Sequence, residues 1–150
     1  MKTYLIAAAM GCAVLAAPLA AQEPAAIVTK SGTIGKPEAG KGLIVFWRPG
    51  TLVGAALGCT VHEGDKVLAR LGSGKYYTVT AEPGKHVYNT EGEVKDVLNM
   101  EIEPDETYFV KCKIGMGIMA GRPNVAPSDA AEFGKKAKGM TMWKGPKEEK

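Results

Sequence analysis

The side chains able to do chemistry in this chain are few, with 2 His, 3 Cys and 16 Asp or Glu among 150 residues. Beyond Cys12 near the N-terminus, the soft metal ligands are Cys59, Cys112, His62 and His86. None stands in a Cys-x-x-Cys or His-x-x-x-His spacing, the short separations that let one turn or one helix face hold zinc, so no metal or other cofactor is expected. Cys59 and His62 suggest a thiol dyad, but three positions apart on one strand their side chains fall on opposite faces. Gly72-Ser73-Gly74-Lys75 has the outline of a phosphate loop, yet Ala69 stands where its first glycine belongs and Tyr76 where the magnesium-binding hydroxyl belongs. A hairpin turn is the reading left. Ser31, Ser73 and Ser128 lie outside any Gly-x-Ser-x-Gly frame, and none is followed by Lys three positions on. Glu91 with Glu93, and Glu101 with Glu103, share faces as a glycosidase acid and base would, but such pairs usually form the solvated side of a strand.

Two pairs remain. Cys59 is in phase with Val61, and Cys112 with Val110 and Ile114, so both thiols should point into the core. A bridge between them would contribute roughly 3 to 5 kcal/mol through chain entropy. The other reading is two buried free thiols on strands too far apart to bond. Arg48 and Arg122, two of the three arginines, each precede a proline at the end of an apolar strand. If the strand at 43–47 runs parallel to the one starting at Tyr108, as first and last strands commonly do in sandwiches, both arginines emerge at one end. Beside them the segments Leu52 to Leu57 and Gly115 to Gly121 are rich in Gly and apolar residues. Such a rim suits an anionic, partly apolar ligand or a partner surface, with guanidinium groups bonding carboxylate or phosphate in pairs. Alternatively, the loops plug the end of the domain and each arginine pairs with a nearby acid.

Strands must position these residues. Leu43-Ile44-Val45-Phe46-Trp47 is apolar at every position, the pattern of a strand covered on both faces, and Arg48-Pro49-Gly50 stops it. Strands then follow at Cys59 to His62, Lys66 to Leu71, Lys75 to Ala81 and His86 to Thr90. Turns at Glu63-Gly64-Asp65, Gly72-Ser73-Gly74 and Pro83-Gly84 separate them. From Val94 to Glu103, Leu98, Met100 and Ile102 face one way and Asn99, Glu101 and Glu103 the other. Pro104 to Thr107 turns the chain into Tyr108 to Ile118, where the stripe from Tyr108 through Val110, Cys112, Ile114 and Met116 opposes Lys111 and Lys113. These two strands are expected to form a hairpin. A short helix should follow, capped by Ser128 or Asp129 with Glu132 in its first turn. About seven short strands without a long helical period predict an all-β, antiparallel β-sandwich over residues 42–134, with a small β-barrel as the alternative.

The ends read differently. Lys2 followed by the uncharged run Leu5 to Ala17 is a signal-peptide pattern over residues 1–21, with cleavage between Ala21 and Gln22. That run is too short to span a membrane. Cys12, after Ala9-Met10-Gly11, leaves lipid anchoring as the less favoured alternative, because the apolar run continues past it. Residues 22–41, with Pro24, Gly32, Gly35, Pro37 and Gly40, read as a flexible leader. Residues 135–150 read as a Lys-rich tail, mostly solvated, with Met140 to Trp143 touching the body. Cleavage removes Lys2 from 19 basic residues and nothing from 16 acidic ones, so the net charge falls from +3 to +2. A balance that small argues against nucleic acid as a partner.

Several of these residues occur together elsewhere: Leu43 to Trp47 followed by Arg48-Pro49, Val53-Gly54, Gly64, and Gly74-Lys75-Tyr76-Tyr77. Pro83-Gly84-Lys85-His86, Thr107-Tyr108, Gly117 and Gly121-Arg122-Pro123 complete the set. In this combination the stretch from Gly42 to Glu132 resembles a bacterial family known only as domain of unknown function 2846, found in exported and lipoprotein-type proteins. The resemblance implies an exported β-rich domain and brings no activity with it. Unlike the lipoprotein-type members, this chain has no convincing lipobox. The expectation is a periplasmic or secreted, non-enzymatic binding or interaction module whose partner is an envelope protein or an anionic envelope component. A small cell-envelope hydrolase with a site invisible in sequence is the alternative. An enzyme would show a polar cleft with a perturbed carboxylate or His, and a binding module an open patch of arginine and aromatic groups.

Overall fold

The computed structural model describes residues 26–52, 54–117 and 121–145. The signal segment with Cys12, the Ala21–Gln22 junction, Ile118 and the last five residues lie outside them. At the centre is β3 (Gly42–Arg48), buried along its whole length. It pairs antiparallel with β6 (Lys75–Ala81) on one side and parallel with β9 (Thr107–Gly115) on the other. β10 (Arg122–Ser128) and β11 (Thr141–Met142) complete a five-stranded sheet in the order β10-β9-β3-β6-β11. The second sheet has the order β5-β4-β7-β8, from β4 (Cys59–Glu63), β5 (Lys66–Leu71), β7 (Gly84–Thr90) and β8 (Asp96–Ile102). The two sheets stay separate and face each other, which makes a β-sandwich and not a closed barrel.

Side-chain alternation explains the layering. Ile44 and Phe46, with Val110 of the neighbouring β9, point toward the second sheet, where they meet Val61, Leu71, Tyr88 and Ile102. Val45 and Trp47 point the other way, onto Tyr76, Phe109, Phe133 and Met140. Helix α1 (Ala130–Ala137) supplies Phe133, whose ring meets the rings of Trp47, Tyr76 and Phe109 at 5.4–5.9 Å between centroids. Asp129 caps the helix by accepting the Glu132 amide at 2.7 Å. Ser128, the other candidate cap, instead accepts the Trp47 indole N–H at 2.8 Å. No helix among the described residues is long and apolar enough to cross a membrane.

Several expectations are corrected. The strands before and after Pro104 do not form a hairpin: β8 pairs with β7 in one sheet, while β9 pairs with β3 and β10 in the other. Asp105, at φ 64°, gives its amide to the Lys41 carbonyl and accepts the Gly40 amide at 2.8 Å. These bonds carry the chain across to the start of β3, so β9 is laid parallel to it. The turns at Gly72–Gly74 and Pro83 likewise cross between sheets, since β6 lies in the sheet opposite β5 and β7.

The leader is also more than a linker. β1 (Val28–Thr29) and β2 (Gly32–Thr33) form a small hairpin. Ile27 and Ile34 pack beside α1, and the buried Thr29 hydroxyl meets the Tyr76 hydroxyl at 2.9 Å. Apolar contact and one buried hydrogen bond outweigh the freedom its glycines confer. At the other end, β11 runs parallel to β6 and Trp143 sets its ring edge-on to Tyr77. The body therefore extends at least to Trp143.

Candidate functional site

Parallel pairing of β3 and β9 determines which residues meet at the upper end of the sandwich. Cys59 and Cys112 are both buried and bonded, with Cα atoms 6.5 Å apart, so the bridge ties the two sheets together. Above it, Arg48 shares the inward parity of Ile44 and Phe46 and is 2% exposed. Its guanidinium donates to the carbonyls of Leu57, Gly54 (2.5 Å) and, across the sandwich, Leu71 (3.4 Å). All three acceptors are neutral. Burial lowers the Arg48 pKa below its ordinary value, but a guanidinium stays protonated throughout the working range of proteins. The result is a fixed, buried positive charge that no described carboxylate balances.

Arg122 sits at the same end, opposite Gly115 in the β9–β10 ladder, as the parallel arrangement requires. Its surroundings differ. Arg122 is about half exposed, and its Nε donates to Glu93 at 2.8 Å. Between the arginines the two loops close on each other. A Cβ placed on Gly54 or on Gly121 would lie within 4 Å of both Leu57 and Ile114. The loops thus plug the end of the sandwich, with one arginine bonded to carbonyls and the other to an acid.

The β3–β9 ladder stops at Trp47 and Lys111, because β3 turns away at Pro49, which has no amide hydrogen to give. β9 continues to Gly115 with only β10 beside it. Where β3 departs, a cleft of about 320 Å³ opens, lined by Arg48, Pro49, Thr51, Lys111, Cys112, Lys113 and Ile114. Three of these seven residues are cationic, and none is a carboxylate or imidazole. Lys111 bonds Glu132 of α1 and lies 5.3 Å from the Trp47 ring centroid. Lys113 is exposed and makes no ion pair with a described residue. The sequence marks both lysines only as the polar side of a strand. What gives them meaning is that β9 outruns its parallel neighbour, and Pro49 is the signal for that.

The arrangement closest to an acid–base pair lies elsewhere, at the lower end. Glu63 ends β4 and His86 is the third residue of β7, with Glu63 Oε1 and His86 Nδ1 2.5 Å apart. His86 Nε2 is engaged by the Glu82 carbonyl at 2.8 Å, and the ring stacks on Tyr88. Burial pushes the His86 pKa down, but the bonds to Glu63 and Glu82 and the charges of Glu63 and Glu101 carry it above the ordinary imidazole value. Both ring nitrogens are occupied, so the ring has no free position from which to serve as a base. The carboxylate pairs do not converge on a site either: Glu93 bonds Arg122, and Glu101 and Glu103 are exposed. No group of three His, Cys, Asp or Glu able to hold a metal occurs among the described residues.

The chain matches no family model, no curated protein and no solved structure.

Proposed function

We propose that this protein is an exported, non-enzymatic binding module of the cell envelope that takes an anionic ligand in the cleft between Pro49 and β9. The observation that carries this reading is the cleft lining, three cations with apolar Pro49 and Ile114 and no carboxylate. Arg48 acts through its field: its hydrogens are committed to carbonyls, but its buried charge reaches further than an exposed one would. Lys113 supplies the donors, with Lys111, which Glu132 holds, lining the cleft beside it. Arg122, held by Glu93, stays outside the proposed contact set. Export is supported by the N-terminal pattern and by a buried disulfide, a bond that persists in oxidising compartments. The likeness to domain of unknown function 2846 points the same way.

The test is calorimetric titration of the processed chain with glycerol phosphate and with simple carboxylates. Binding should weaken as salt is raised, and Lys113→Glu should reduce affinity roughly tenfold or more. Absence of saturable binding at millimolar anion would overturn the reading. Mass spectrometry of the native protein should place its N-terminus at Gln22. An intact Met1 or a lipid-modified Cys12 would remove free export from it.

A further inference from the structure

Two residues beside the cleft lining carry apolar side chains that the fold does not use. Leu52 is 98% exposed and Met116 is 83% exposed. Leu52 directly follows Thr51, and Met116 comes two residues after Ile114, so each lies next to the cleft lining in the chain. A single exposed apolar residue is ordinary. Two flanking one opening, with cations behind them, form a pattern. The carboxylates nearby, Glu93 and Glu132, are held by Arg122 and Lys111, which leaves Arg48 and Lys113 without a described carboxylate partner.

We propose that this end of the sandwich docks on an anionic phospholipid surface, with a headgroup phosphate in the cleft and Leu52 and Met116 entering the boundary of the acyl chains. The inference rests on the anion-cleft reading and adds the source of the anion. Charge complementarity decides for a lipid. In a membrane the phosphate lies outside an apolar layer, and here the cations lie behind apolar tips, so one approach satisfies both. A groove-bound peptide would call for apolar pockets between the strands, whereas the unused apolar surface here projects outward at the tips. The plug formed by Arg48, Leu57 and Ile114 ties the chain after Leu52 to the end of β9 before Met116.

The experiment is co-sedimentation of the processed chain with phosphatidylcholine vesicles, with and without phosphatidylglycerol, run beside glycerol phosphate titration. Vesicles containing phosphatidylglycerol should capture the protein, less so at high salt, and phosphatidylcholine alone should not. Leu52→Asp with Met116→Asp should reduce capture roughly tenfold or more, through lost apolar burial, and leave glycerol phosphate binding unchanged. Lys113→Glu should reduce both. If glycerol phosphate binds but anionic vesicles do not, or if the two tip substitutions leave capture intact, the lipid inference is overturned and the anion cleft stands. If neither binds, both readings are overturned.

Discussion

Arg48 and Leu57 are nine residues apart and joined by a hydrogen bond from guanidinium to carbonyl, which closes the apolar loop over the end of the sandwich. The same guanidinium holds Gly54 and reaches Leu71 in the opposite sheet. Removing it would take a donor from the Leu57 carbonyl, while the Gly54 carbonyl keeps the Leu57 amide at 3.0 Å. Part of that loss is offset because a buried charge disappears as well, so Arg48→Ala should cost about 2–4 kcal/mol. Arg48→Lys should recover only part of this, since an ammonium lacks the planar fork that spans three acceptors. Urea denaturation measures both. An unchanged midpoint in Arg48→Ala would show that the guanidinium does not hold the loop.

The Cys59–Cys112 bridge closes a separation of 53 residues between the two sheets. Constraint of the unfolded chain then predicts a loss of about 4 kcal/mol when both are replaced by Ala. Reduction of the unmodified protein should lower its unfolding free energy in urea by a similar amount. Thiol labelling of denatured, unreduced protein should modify neither cysteine, and labelling of both would contradict the bridge.

Stability should depend on pH through His86. Its folded pKa lies above the ordinary value of 6.5, because Glu63, the Glu82 carbonyl and Glu101 outweigh burial. The folded state therefore holds the proton more tightly than the unfolded one. The contribution is complete below the unfolded value and is lost as pH rises through the folded one. Denaturation midpoints measured from about pH 5 to pH 8 should fall across the upper part of that range, and His86→Gln should flatten the decline. A flat profile in the parent protein would sink this account.

Much of the layout is legible in the residues because alternation is a local property. The uninterrupted run from Leu43 to Trp47 indicates burial on both faces, and parity alone turns Cys59 and Cys112 inward. Asp129 and Glu132 mark the helix start. Sheet membership is another matter, because a short turn serves a hairpin and a crossing between sheets equally well. The bonds from Asp105 to Lys41 and Gly40, with that from the Leu43 amide to the Glu106 carbonyl, hold β9 away from β8 and beside β3. The hairpin at Val28–Thr33 escapes notice because strands of two residues show no period. The surroundings of Arg48 could not be read either, because its partners are backbone carbonyls, which every residue carries.

Two glycines give predictions of opposite sign. Gly134 lies inside α1 without positive φ, and a Cβ there would meet nothing within 4 Å. Glycine in a helix interior is about 1 kcal/mol less favourable than alanine, mainly through backbone entropy, so Gly134→Ala should stabilise by about 0.5–1 kcal/mol. Gly92, in the turn between β7 and β8, is the reverse case. A Cβ there would stand 2.4 Å from Pro123 Cδ and 2.9 Å from the Gly121 carbonyl. A proline ring and a backbone oxygen cannot rotate away, so the turn itself must lift off β10, at a cost of about 1–3 kcal/mol. The turn also carries Glu93, so lifting it should free Arg122 from its ion pair. Urea denaturation of both variants tests the packing at two separate places. A destabilised Gly134→Ala would mean that α1 does not seat as described, and a neutral Gly92→Ala would mean that the turn does not rest on β10.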